Sequence, residues 1–288
     1  MKTKIYLNGS IVHEGKACIS IFDRGLQYGD GLFETIKAHD GKPAFLKEHL
    51  RRLKAGARFL RIPIKTIEAD IKDGVIKRLL KANNLSKGSA RVKIIVTRGV
   101  EPPQGVEPPQ GADKSGHAPS KDTTPTLIII AKPLDEAYIR QLQTKGVKAV
   151  LIRGYAPVLG GFKTLNYLPS VLAKAEAKKR GAFEGIFVGE DNTIKEGSST
   201  NIFIFSKGVL KTPPADASSN ILPGVTRQTV IRTARKIGLT VKETPISTKE
   251  LFTCDKAFLT NSILGMLPLV SVDSRRIGGK RRAMRKKY

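Results

Sequence analysis

Apolar and polar positions alternate with a period of two through KIYLNGSIV at the start of the chain, around the turn signal Asn8-Gly9, which predicts an opening hairpin. GLFETIKA (31–38) predicts a further strand. Apolar residues then recur at i, i+3 and i+4 over 45–60 and 66–83, the spacing of two amphipathic helices. ARVKIIVTR (90–98) and TLIIIA (126–131) are β-branched and strand-like. Between them, 99–125 is rich in Pro, Gly, Gln and Ser with little to bury, so it reads as a long surface loop. That loop holds a tandem hexapeptide, GVEPPQ at 99–104 and 105–110, too short an array for a solenoid. AKPLDEAYIRQLQ (131–143) reads as the connection to a second half, with strands expected at 146–153, 184–189, 201–206 and 256–261 and helices near 165–180, 225–237 and 247–252. Many strands with irregularly placed helices predict an α+β or mixed α/β chain in two domains. The expected division is 1–132, a linker at 133–141, a larger domain at 142–274 and a basic tail at 275–288.

At 288 residues and 40% hydrophobic, the chain can bury one large core or two modest ones, which excludes a short peptide or a wholly disordered tail. No segment approaches the roughly 20 apolar residues of a membrane helix, and MKTKIYLNGS lacks the apolar stretch of a secretory signal. The expectation is a soluble, cytoplasmic protein. Cys18 and Cys254 stand apart, and His13, His39 and His117 are isolated, so neither a disulfide scaffold nor a metal site is expected. The net charge of +26, with eight basic residues among the last 15, would suit a nucleic-acid binder, but no groove-reading motif accompanies it. A solvated tail is the plainer reading.

Four segments combine a reactive or anion-binding side chain with turn chemistry. Lys163 follows Gly160-Gly161 and precedes an amphipathic helix. Pro223-Gly224-Val225-Thr226 opens a helix, Pro sitting near its first position, and the unpaired first-turn N–H groups suit a phosphate. Glu196 enters a small polar turn, EGSSTN, ahead of the strand NIFIF. His49 and Arg52 lie on one helix, where a solvated face is the alternative. Together they offer an amine, a carboxylate and two phosphate-binding elements, the needs of pyridoxal phosphate.

In their order and spacing these segments, with DRGLQYGDGLFET (23–35), resemble the class IV aminotransferase family of fold-type IV pyridoxal phosphate enzymes, over nearly the whole chain. The resemblance implies a two-domain, D-amino-acid-aminotransferase-like architecture and a homodimer. It implies that Lys163 forms the Schiff base, that Glu196 pairs with the pyridine nitrogen, and that Arg52, Val225, Thr226 and Ser262 hold the phosphate. Tyr167 either bonds the cofactor's phenolic oxygen or packs on its helix, and Phe33 and Tyr28 line the substrate pocket.

Within the family, Asn166 three residues after Lys163 argues against branched-chain aminotransferases, and the VEPPQ repeat stands where D-amino-acid enzymes carry an Arg-x-His trap. TNSILGMLPL, with Asn261 and Ser262, resembles the aminodeoxychorismate lyase form. The leading expectation is therefore that lyase, releasing 4-aminobenzoate and pyruvate in folate synthesis, with a branched-chain or D-amino-acid aminotransferase as the alternative and a nucleic-acid-binding protein as a distant one. The cation that meets the substrate carboxylates is open among Arg98, Arg153, Lys114 and His117, because the family's second arginine is replaced by the insertion.

Overall fold

The computed structural model describes residues 3–63, 71, 74–101, 119, 123–215 and 219–278. The chain divides into two compact units, Met1–Leu134 with Lys163–Asn166, and Asp135–Phe162 with Tyr167–Tyr288.

The first unit holds β1 (Lys4–Leu7), β2 (Ser10–His13), α1 (Arg24–Tyr28), β3 (Gly31–His39), β4 (Lys42–Pro43), α2 (Leu46–Leu60), α3 (Val75–Ala82), β5 (Ser89–Val100) and β6 (Thr124–Pro133). The strands form an antiparallel sheet in the order β2-β1-β6-β5-β3-β4. Asn8 and Gly9, both at positive φ, make the first hairpin as the sequence predicted. In register, Glu34 faces Ile94 and Thr35 faces Lys93. The pleat therefore sends Leu32, Glu34, Ile36 and Ala38 to one face with Val92, Ile94 and Val96, where Leu53, Ala57, Val75, Ile76, Leu79 and Leu80 of the helices bury them. Each such aliphatic side chain is worth about 1.5–3 kcal/mol of burial. Close helix–sheet contact needs Gly56 on α2, where a Cβ would come within 2.8 Å of Leu32. The opposite face carries Phe33, Thr35, Lys93 and Ile95.

The second unit holds α4 (Glu136–Lys145), β7 (Val147–Ile152), α5 (Leu168–Lys179), β8 (Glu184–Val188), β9 (Thr193–Gly197), β10 (Asn201–Ser206), β11 (Val209–Thr212), α6 (Val225–Lys236), β12 (Thr240–Glu243), β13 (Ile246–Ser247), α7 (Thr248–Thr253), β14 (Lys256–Asn261), β15 (Gly265–Val272) and β16 (Arg275–Arg276). Its mixed sheet runs β12-β11-β10-β14-β15-β7-β8-β9-β13, with β16 on β15. Ala173 and Ala177 of α5 pack on Val150, Ile152 and Phe187, and Ile231 and Ala234 of α6 on Phe203 and Leu210.

The expected α+β, mixed α/β class is the one found, and the regular elements fall where the periodicity put them, with some differences. Residues 133–141, read as a linker, include the Asp135 cap and first turns of α4. Strands β4, β9, β11, β12, β13, β15 and β16 and the short helix α1 were not anticipated; β15 carries Pro268 in a paired position opposite Phe258, and a proline inside a run argues against a strand. The GVEPPQ repeat beyond Glu101, most of the expected 66–83 helix before Val75, Lys114, His117 and the tail after Gly278 lie outside the described residues. Among the described residues no helix is long and apolar enough to cross a membrane, and no metal-ligating cluster occurs.

Candidate active site

Lys163 belongs to the first unit because its segment adds to the edge of β3: the Phe33 N–H donates to the Lys163 carbonyl at 2.9 Å and the Leu165 N–H to the Gly31 carbonyl at 2.9 Å. A strand-like bridge pairs Leu32 with Thr164. This pairing holds the half-buried Lys163 with its ammonium 4.3 Å from the centre of the Phe33 ring. A second ammonium, that of Lys93, lies 4.8 Å from the same centre. Burial, reinforced by the charge of Arg91, lowers the Lys93 pKa. Lys93 was not singled out from the sequence, since in ARVKIIVTR it reads as one more polar position of an alternating strand.

On the helix-covered face, Arg52 and His49 converge on Glu34. Arg52 donates from Nε (2.8 Å) and Nη2 (2.7 Å) to the two Glu34 oxygens, and His49 Nδ1 is 2.6 Å from Oε2. Burial works to raise the Glu34 pKa, but the charge and hydrogen bonds of Arg52, then those of His49, outweigh it and hold the carboxyl at about 2. The helix segment 48–53 that carries His49 and Arg52 is therefore not a solvated face: its Arg52 guanidinium is oriented by a buried carboxylate.

Arg98 is not available to a substrate. It grips Asp30 through Nε (2.6 Å) and Nη2 (3.1 Å) and donates to the Leu60 (2.6 Å) and Arg61 (3.0 Å) carbonyls, closing the end of α2. It is a cation at a helix C-terminus, where the open carbonyls favour one. Arg153 is exposed and bonds Asn192 at 2.8 Å. Tyr28, 45% exposed, lies under the Arg24 guanidinium.

In the second unit, Glu196 is held through Oε2 by Asn201 Nδ2 (3.1 Å) and the Leu222 N–H (3.2 Å). Asn201 also donates to the Leu222 carbonyl at 2.9 Å, tying the strand entrance to the segment ahead of α6. That helix starts at Val225, with Gly224 as an N-cap that offers no side-chain bond. Pro223 therefore stands before the cap and not at the first helical position. A Cβ on Gly224 would collide with Asn201 Oδ1, so the close approach requires glycine. Val225 is buried and Thr226 half-buried.

Tyr167 is the N-cap residue of α5, and its hydroxyl donates to the Ser198 carbonyl at 2.9 Å. Its one proton is committed there, and the Ser170 side chain hydrogen-bonds to it as well. Burial, then the charges of Glu184 and Glu196, push its pKa up to about 12. Ser262 lies in the half-buried turn between β14 and β15, and Asn261 Oδ1 accepts from the Ile263 (3.0 Å) and Leu264 (2.7 Å) N–H groups. Asn261, expected in the substrate pocket, spends its carbonyl oxygen on shaping that turn.

An amine beside an aromatic ring, a guanidinium fixed by a buried carboxylate, a second fixed carboxylate and an uncapped helix start are borne by a fold with well-characterised relatives. The chain belongs to the amino-transferase class IV family, whose model matches residues 31–272. It is 39% identical over 281 residues to a protein of Methanocaldococcus jannaschii provisionally named a branched-chain-amino-acid aminotransferase, covering 96% of this chain and 90% of that one. It is 33% identical over 278 residues to the aminodeoxychorismate lyase of Bacillus subtilis, covering 96% and 89%. Among solved structures, the T.th. branched-chain amino acid aminotransferase complexed with N-(5'-phosphopyridoxyl)-L-glutamate matches with a TM-score of 0.79 and 26% identity over 97% of this chain and 88% of that one. The two-sheet, mixed α/β architecture is the fold-type IV one.

Proposed function

We propose that the chain is a pyridoxal phosphate enzyme acting on an amino substrate through Lys163, and that its reaction is the conversion of aminodeoxychorismate to 4-aminobenzoate and pyruvate. The residues fit the cofactor: the α6 start lacks a side-chain cap, so the first-turn N–H groups are suited to a phosphate, and Glu196 is held in one orientation by two donors. When bound, pyridoxal phosphate supplies an aldehyde for the substrate amine and an electron sink for the bonds broken at its α-carbon. Lys163 Nζ carries the cofactor and, once released, moves the proton at that carbon. The Glu196 carboxylate keeps a proton on the pyridine nitrogen. Val225, Thr226, Ser262 and Arg52 are the phosphate ligands of this reading. Phe33 gives Lys163 an apolar wall, and Lys93, over the same ring, is the cation for a substrate carboxylate now that Arg98 is committed elsewhere.

The lyase reading rests on the turn after β14. The asparagine that marks TNSILGMLPL as lyase-like shapes that turn by accepting from the Ile263 and Leu264 N–H groups. The 33% identity to a lyase supports it. The 39% identity to the archaeal protein favours a second reading, transfer of a branched-chain amino group to a 2-oxo acid. The test is to give the cofactor-loaded protein aminodeoxychorismate and, separately, D- and L-amino acids with 2-oxoglutarate or pyruvate. Formation of 4-aminobenzoate and pyruvate from aminodeoxychorismate, with no keto acid made from the amino acids, supports the lyase; keto acid made from the amino acids, with no 4-aminobenzoate, replaces it with the aminotransferase. A cytoplasmic homodimer goes with either reading.

A further inference from the structure

Glu184, the first residue of β8, is wholly buried and belongs to none of the groups just assigned. A buried carboxylate is costly unless its oxygens are satisfied, so its partners reveal what it is kept for. Oε1 accepts from the Ser198 hydroxyl and, at 3.1 Å, from the Gly185 N–H, with the Lys174 ammonium 3.7 Å away. Oε2 accepts from the Ser199 hydroxyl at 2.8 Å. Both oxygens are thus taken by consecutive serines of one turn. The same turn is tied down by its backbone: Ser198 N–H donates to the Gly185 carbonyl (2.8 Å) and Gly197 N–H to the Thr200 carbonyl (2.7 Å). A Cβ on Gly197 would come within 3.0 Å of Glu184 Cγ, so the turn lies directly on this side chain.

The turn is bracketed by the groups that matter. Glu196 enters it, Asn201 leaves it and bonds Glu196 at 3.1 Å, and the Ser198 carbonyl accepts the Tyr167 hydroxyl at 2.9 Å. An apolar residue at 184 would fill the space, but would leave two serine hydroxyls without these acceptors and the turn held by its backbone bonds alone.

We infer that Glu184 is a positioning residue, a buried carboxylate that locks the 197–200 turn and through it sets the placement of Glu196 and Tyr167. Its consequence for the cofactor rests on the proposed function; its consequence for the turn does not.

The wild-type protein, E184Q and the double variant S198A/S199A are compared. The amide of E184Q keeps the shape but replaces one of the two acceptor oxygens, each now bound to a different serine hydroxyl, with a donor NH2 and removes the charge. In the apoproteins, hydrogen exchange of the 197–200 amides should quicken about tenfold or more in both variants, while β7 amides keep their rates. With pyridoxal phosphate bound, the nitrogen-15 shift of the labelled pyridine ring should move, and cofactor affinity should fall about tenfold, the loss of roughly one charge-assisted contact. Affinity for inorganic phosphate should stay within about twofold, because α6 is untouched. Unchanged exchange at 197–200 in the variants overturns the inference, and so does quickened exchange with a wild-type pyridine shift and affinity. Should E184Q fail to fold, the double variant carries the same two readouts. If wild-type protein takes up no pyridoxal phosphate, the functional reading fails, and the exchange rates alone decide whether Glu184 locks the turn.

Discussion

Glu34 is a buried carboxylate gripped by a guanidinium and an imidazole on the face covered by α2. Its pKa is held near 2, below the ordinary 4.5, so it contributes stability that is fully present above pH 4.5 and is lost as pH falls through 2. The wild type should therefore outlast Glu34→Gln by about 3 kcal/mol at neutral pH, and the gap should close toward about pH 2, as read from denaturant unfolding at a series of pH values. An unchanged gap at low pH would mean that packing, not charge, sets the effect. Lys93 gives a second prediction at this scale. Lys93→Met should raise KM for a carboxylate substrate by about tenfold or more with little change in kcat, in steady-state assays, if it meets the substrate and not merely the Phe33 ring. Residues of this kind were only partly legible. Lys163, Glu196 and Arg52 stood out because glycine, turn or helix signals surrounded them. Lys93 and Glu184 sit inside runs that look like ordinary strand, and only the register, which the sequence does not carry, brings them against Phe33 and the serine turn.

Among the elements, α6 and α7 show two ways to begin a helix. Ser247 and Glu250 form a reciprocal capping box at α7, so Ser247→Ala should cost about 1 kcal/mol in thermal or denaturant unfolding and leave catalysis alone. The α6 start is bare, as a phosphate site needs, and Gly224→Ala should push Asn201 off both Glu196 and Leu222. Cofactor affinity should drop by about tenfold or more in a fluorescence titration, because anchor and carboxylate are disturbed together. Most elements were readable from the period of two or of about 3.6, and the Asn8-Gly9 hairpin from its alternation together with its turn residues. β15 was not, because Pro268 hides a strand whose pairing comes from partners distant in sequence.

At the scale of the molecule, a chain of net charge +26 folds its described residues into two units with separate cores. The assignment of Lys163–Asn166 to the first unit was invisible in the sequence, since the segment follows residues of the second and reaches β3 only through a backbone ladder. That ladder sets Lys163 beside Phe33, where Lys93 also lies, so two amines stand where either could carry the cofactor. The direct measurement is to load the protein with pyridoxal phosphate, reduce with borohydride and map the modified peptide by mass spectrometry. The expected result is a yellow protein with the label on Lys163 and none on Lys163→Ala. A protein that takes up no cofactor, or a label on Lys93 in the wild type, would contradict it.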